Sequence, residues 1–415
     1  MSVPMSSALD LVPLVLDEVT VHTDIEPQVY EEWSTTTTNN MPCTSLIESV
    51  CALLASDGAK SRPIIARARK PFDINNAVLE LLLSDRVVFV RRLTYEASNE
   101  WTSRWLKGRC VSEVSVLRWF ELVAPDLPVP RVLAVNETKE LTVTTLLPGL
   151  DAVHAYPRLD ALAKERSVLS YARFAVRMLQ IPAPQRFGTP YDLNGPALLL
   201  GPHIGFSPEH CFDVSESTDL QSFFDSLIDS RLLRSSIYDH KSDPSSHSLL
   251  SLRLTRLREG IQPLITEVMK DPILSRFVLT HQDTRSNNFI LERVSGEISG
   301  AVDWEYCGCL PAAMAAQYPE WIRPPIDESL QYRNPKDTFL HYTFELKAER
   351  ERLCDLYEEY VKGLDQEFWN CLVLGTRLRD AYTWIALSNG DLDGEAMDRW
   401  VTDHLFGSTA NHRCA

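Results

Sequence analysis

Four polar side chains stand close together where a fold would otherwise want apolar ones. His281, Asp283 and Asn288 hold fixed offsets in LTHQDTRSNNFIL (279–291), and Asp303 interrupts the apolar run of GAVDWEY (300–306). Burying such groups unpaired is costly, so their placement beside two apolar runs asks for an ion, a ligand or a reaction. Asp283 is a carboxylate that can take a proton from a hydroxyl, and the oxygens of Asn288 and Asp303 are hard donors of the kind Mg2+ prefers. Together they suit phosphoryl transfer, in which positioning and charge neutralisation do most of the work.

The elements around these residues must bring them to one place. His281-x-Asp283-x-x-x-x-Asn288 has the spacing of the kinase catalytic loop, where the Asp accepts the acceptor's proton and the Asn holds a metal. Alone the pattern is weak, because Asp and Asn in turns commonly bond nearby backbone. The flanking residues strengthen it. FILE (289–292) reads as a strand, ERVSGE (292–297) as a hairpin turn and ISGAVD (298–303) as the returning strand, which brings Asp303 beside Asn288 so that both can hold one Mg2+. Glu305, two residues on, is a second carboxylate that either supports the metal or substrate or serves the fold.

The chain has 415 residues, 44% of them hydrophobic, enough for a large core divided into two lobes. A net charge of −16 argues against nucleic acid and anionic membranes as partners, since both select clustered Lys and Arg. The nine cysteines form no CxxC, and Cys307-x-Cys309 reads as packed small residues rather than a metal site. With no signal peptide and no apolar run near about 18 residues, a cytoplasmic protein is expected.

Residues 1–42 read as a flexible polar extension and 43–147 as a β-rich small lobe. Within it, Cys43 to about Ala55 suits an amphipathic helix, LELLLSDRVVFVRRL (79–93) two strands about a Ser84-Asp85 turn, VSEVSVLRWFELVA (111–124) a helix, and 127–135 and 141–147 two more strands. Residues 148–405 read as a larger, mainly helical lobe with SSIYDHKSDPSSHS (235–248) as a surface loop, and 406–415 as a tail. The expected class is α+β.

HQDTRSNNFIL, ISGAVDWEY and LPAAMAAQYPEWI (310–322) together resemble the aminoglycoside phosphotransferase and choline kinase-like family, and its fungal members above all. The resemblance spans roughly residues 60–400, strongest at 279–322, with support from LLPG (146–149) and RFGTPY (186–191). It implies a two-lobed protein-kinase-like fold and an ATP- and Mg2+-dependent transfer to a hydroxyl of a small molecule, such as an amino alcohol or sugar. It further implies Asp283 as base, His281 as a brace of the loop, Asn288 and Asp303 as metal ligands, and Thr144 to Leu146 as the hinge against adenine. Glu113 matches the helix glutamate that pairs with a strand cation. That cation is Lys in the family and Arg91 here, with Arg92 its competitor; a forked guanidinium can still clamp phosphate.

One departure bears on activity. The turn expected over the phosphates, in KPFDINNAVLEL (70–81), has no glycine, so its backbone approaches a nucleotide less closely. Weak ATP binding, or a degenerate kinase-like module, is the alternative this raises. A protein kinase is disfavoured because no APE-type segment follows VDWEY. Asp380, Asp391, Asp393 and Glu395 could receive a cationic acceptor or form a solvated helix face.

Overall fold

The computed structural model describes residues 43–56, 63–68, 76–83, 86–93, 100–136, 138, 140–205, 211–212, 219–238, 244–327, 344–387 and 394–407. The extension 1–42, the Ser84-Asp85 turn, the glycine-free stretch 70–75, Asp391 and Asp393 lie outside them.

Five strands form one antiparallel sheet in the order β1-β2-β3-β5-β4: β1 (Pro63–Ala68), β2 (Asn76–Leu83), β3 (Val87–Leu93), β4 (Val132–Val135) and β5 (Leu141–Thr145). Period-2 alternation decides the use of its two faces. Val88 and Val90 point to one face and pack with Leu46, Ile47, Val50 and Leu54 of helix α1 (Cys43–Ser56), whose apolar residues recur at three and four. Phe89 and Arg91 take the opposite face. Helix α2 (Glu100–Val123) begins eleven residues before the helix read from the sequence. Its first turns, EWTSRWLKGRC, are too polar to look helical, yet Leu106 and Cys110 are buried there, one turn before Val114.

A second, larger core gathers the last turns of α2 with the elements from Ala152 onward. Helix α3 (Ala161–Leu179) starts at Asp160, whose side chain accepts from the Ala163 N–H at 2.8 Å. Helices α4 (Leu220–Tyr238), α5 (Pro244–Lys270), α6 (Lys347–Leu364), α7 (Gln366–Leu374), α8 (Thr376–Leu387) and α9 (Gly394–Val401) complete the helical part. Two strand features were not read from the sequence. β1 adds an edge beside β2, and a hairpin of β7 (Thr189–Asn194) and β8 (Ala197–Gly201) follows α3, ahead of the short pair β9 (His203–Ile204) and β10 (Cys211–Phe212). The 235–248 segment is also shorter as a loop than expected, because α4 runs to Tyr238 and α5 starts at Pro244.

The site rests on three short ladders. β6 (Leu150–Asp151) pairs with β12 (Phe289–Leu291), β12 with β13 (Ile298–Ala301), and β11 (Phe277–His281) with β14 (Cys307–Pro311). The expected hairpin is present, and Gly296 at φ 75° makes its turn. Among the described residues, no helix is long and apolar enough to cross a membrane.

Candidate active site

Loops 282–288 and 302–306 each run between the same two ladders, β11–β14 at one end and β12–β13 at the other. They therefore lie side by side. Backbone contacts staple them: Val302 N–H donates to Asn288 O at 2.9 Å and Gln282 N–H to Tyr306 O at 3.3 Å. His281, buried, adds a third staple through Nε2 and Val302 O at 2.9 Å. A carbonyl only accepts, so Nε2 carries the proton. Burial holds this imidazole below the usual histidine range, with the Val302 bond pulling the other way. The ring also packs against Trp304, centroids 4.5 Å apart. His281 thus serves as a neutral brace between the two loops.

Asp283 is 2% exposed, and Arg285 grips both its oxygens, with Nε to Oδ1 and Nη2 to Oδ2 each at 2.5 Å. Asn288 is buried too, and its Nδ2 donates to Asp283 O at 2.9 Å. That bond commits the amide nitrogen, so the amide oxygen is the atom left to ligate. Glu320 takes the Ser286 N–H and hydroxyl, tying down the short 3-10 turn Ser286–Asn288.

Asp303 has φ 64° and ψ 52°, the one positive-φ non-glycine among the described residues. Asp tolerates this left-handed conformation better than most residues, but it is still strained, and such outliers gather at functional sites. Asp303 stays partly open, with Oδ1 3.8 Å from Nη1 of Arg91. Hard oxygens from Asn288 and Asp303 on adjoining loops fit Mg2+ by chemistry.

Above these loops lies a buried charge network. Arg91 pairs with Glu113 through Nη2 and with Glu305 through Nη1 at 2.9 Å. Glu305 holds Arg109 with its other oxygen, and the Arg109 guanidinium is sandwiched between Trp105 and Tyr306, 4.6 and 4.5 Å from their centroids. Burial pushes the Glu113 carboxyl up, against the pull of Arg91. Arg92 points to the other face, where it lines a concavity of about 480 Å3 with Ser49, Asn136 and Glu140. Alternation along β3 separates the two arginines, and Arg91 is the one against Glu113.

Thr144 and Leu146 lie at the end of β5, the strand paired with β3. Thr144 is buried on β5 opposite Phe89, and the half-buried Leu146 follows the strand. Asp380 faces Arg379 and Trp400 instead of a solvated surface; Glu395 is exposed.

Three partners went unread in the sequence. Arg109 had a signal, four residues before Glu113 on the same helix face. Arg285 and Glu320 had none, because their roles depend on loop packing.

A two-lobed α+β architecture, with a β sheet and paired helix above a helical lobe that carries the loop pair, is that of the protein-kinase-like fold. The model of the phosphotransferase enzyme family matches residues 73–314, more than half the chain, and the chain belongs to that family. It is accordingly a kinase-like phosphotransferase. A curated relative, clavilactone A biosynthesis cluster protein Y of Ampulloclitocybe clavipes, is 26% identical over 353 residues, which is 80% of this chain and 82% of the relative. Among solved structures, the aminoglycoside phosphotransferase APH(4)-Ia is similar at 15% identity and TM-score 0.47, covering 87% of this chain and 99% of that one. An ethanolamine kinase of Plasmodium vivax is similar at 14% identity and TM-score 0.43, covering 93% and 95%.

Proposed function

We propose that the protein transfers the γ-phosphoryl group of ATP to a hydroxyl of a small-molecule acceptor. The observation that carries this reading is the stapled loop pair. It holds Asp283, Asn288 and Asp303 on two neighbouring loops with Arg91 reaching Asp303 from the sheet.

In this reading, Asp283 accepts the proton as the acceptor O–H bond breaks. The acceptor oxygen bonds to phosphorus, the bond from phosphorus to the β-phosphate oxygen breaks, and ADP leaves with that electron pair. Asn288 and Asp303 would hold Mg2+, whose charge would neutralise phosphate oxygens. Arg91, oriented by Glu113 and Glu305, contacts phosphate from the sheet side. Thr144 to Leu146 lie against adenine. His281 keeps the loops in register, which leaves the proton chemistry to Asp283. A cationic or neutral metabolite acceptor, such as an amino alcohol or sugar, is compatible with the net charge of −16.

The test is ATP consumption by the purified chain with Mg2+ and a panel of amine, sugar and alcohol metabolites. Asp283→Asn should lower turnover with any accepted compound by about 10²-fold or more while leaving nucleotide affinity nearly unchanged, because a positioned base acts on the acceptor and not on the nucleotide. A variant that kept above about a tenth of the rate would remove Asp283 from the base's role. Asp303→Ala should abolish the Mg2+ dependence of nucleotide binding.

A further inference from the structure

We propose that Arg285, which clamps the carboxylate of Asp283, is a catalytic cation that moves onto the transferring phosphoryl group. The proposal rests on the phosphotransfer reading above and adds a residue to it.

The clamp poses a chemical problem. A base accepts a proton through a carboxylate oxygen, yet both oxygens of Asp283 are taken by the guanidinium fork at 2.5 Å. Such a bidentate pair is strong, and it holds electron density that the acceptor proton needs. For Asp283 to act, at least one arm of the fork must let go. Arg285 is built for that. Its side chain is 43% exposed although its partner is 2% exposed, so the guanidinium can swing without opening the core.

Its destination follows from where negative charge gathers. Arg285 bonds the base, and Asp303 and Glu320 lie within electrostatic reach of its guanidinium, so the proposed metal carboxylate and the base both face this charge. The transferring phosphoryl group must pass through the same region, between acceptor and metal, carrying charge on its equatorial oxygens. The other guanidiniums nearby are engaged. Arg91 bridges Glu113 and Glu305, Arg109 is sandwiched against Glu305, and Arg323 bonds the Thr284 hydroxyl at 3.0 Å and Gln317 Oε1 at 2.9 Å. Arg285 exchanges one anionic partner for another, from carboxylate to phosphoryl oxygens. The exchange frees Asp283 at the moment its proton arrives. Arg285 remains charged throughout, and the proton passes from acceptor to Asp283 as in the scheme above.

A binding experiment tests this without knowledge of the acceptor. The dissociation constant of Mg·ADP is measured by calorimetry on the full chain, with and without fluoroaluminate, a planar mimic of the transferring phosphoryl group. Wild type should bind ADP at least about tenfold tighter with fluoroaluminate, as transition-state analogues do. Arg285→Ala should lose most of that tightening while its affinity for Mg·ADP alone changes by less than about threefold, and Arg285→Lys, which keeps the charge without the fork, should retain part of it. Full tightening in Arg285→Ala would overturn the proposal and leave Arg285 as a latch on the base. If wild type bound no Mg·ADP at all, the phosphotransfer reading itself would fall, and the Arg285 assignment with it.

Discussion

At the scale of single residues, the fork of Arg91 does what a lysine ammonium could not. One nitrogen faces Glu113 on α2 and another faces Glu305 on the loop after Asp303, so one side chain ties sheet, helix and loop together. A lysine would offer a point charge to one partner at a time. Arg91→Ala should therefore weaken Mg·ATP binding by at least about tenfold, since a charge-assisted contact to phosphate is worth about 1.5–3 kcal/mol. Arg92→Ala, on the α1 face beside Ser49 and Glu140, should change it by less than about twofold, as surface substitutions usually do. Thermal-shift titration with ATP and Mg2+ on the two variants measures both. A shift lost in the Arg92 variant alone would place the cation one residue along. Arg91 and Arg92 were separable in the sequence only as odd and even positions of a strand. Which parity faced Glu113 depended on α1 covering the other face.

At the scale of elements, the hairpin 289–301 is held from outside by the short strand β6, and Gly149 makes that possible. Its φ of 124° lies in the region that favours glycine, and a Cβ there would meet the Leu291 carbonyl. Gly149→Ala should cost about 1–3 kcal/mol from backbone strain alone, before the collision is counted. Urea unfolding should show this as a lower midpoint, and Mg2+-dependent nucleotide binding should weaken with it because Asn288 and Asp303 flank the same hairpin. Unchanged stability would mean that β6 is dispensable to the ladder. The hairpin itself was legible: FILE and ISGA are short apolar runs on either side of a turn that holds Gly296. The pairing of β6 with Ile290 and Leu291 was not, because two residues on each side carry no periodic signal. The β7–β8 hairpin escaped for a similar reason, since TPYDLN holds a proline and exposed polar residues that read as loop.

At the scale of the whole molecule, the helical lobe closes around polar groups of its own. Asp380 on α8 packs against Arg379 and against Trp400 of α9. Burial pushes its carboxyl up to about 6 from an ordinary 3.8, although Arg379 and the Trp400 bond pull downward. A raised carboxyl binds its proton more tightly in the folded state than in the unfolded one. Its contribution is thus most favourable below pH 3.8 and is lost as pH rises through about 6. Asp380→Asn should accordingly stabilise the protein above pH 6 and have little effect near pH 4, because the neutral amide can still accept from Trp400. Thermal unfolding of both proteins across pH 4–8 checks the sign. A variant less stable at pH 7.5 would mean that Arg379 depends on the carboxylate charge. The same residue had been a candidate for a cationic acceptor, and its enclosure between α8 and α9 argues for a packing role.

The class of protein and the candidate cluster were legible in the chain. HQDTRSNN and VDWEY place His281, Asp283, Asn288 and Asp303 by local spacing, and a hairpin between them needs only two short apolar runs and a glycine turn to be read. Such features depend on neighbours in the chain, which a sequence displays. The tertiary structure alone decided the partners: Arg285 on Asp283, Glu320 on Ser286, and Arg109 with Arg91 on Glu305. Arg285 and Asp283 share one loop, whose turn brings them together; the other contacts join residues from different elements, 34 positions apart for Ser286 and Glu320 and 214 for Arg91 and Glu305. Ion pairing favours any nearby opposite charge, so composition offers many possible partners. Only the packed backbone, by desolvating some and excluding others, selects among them.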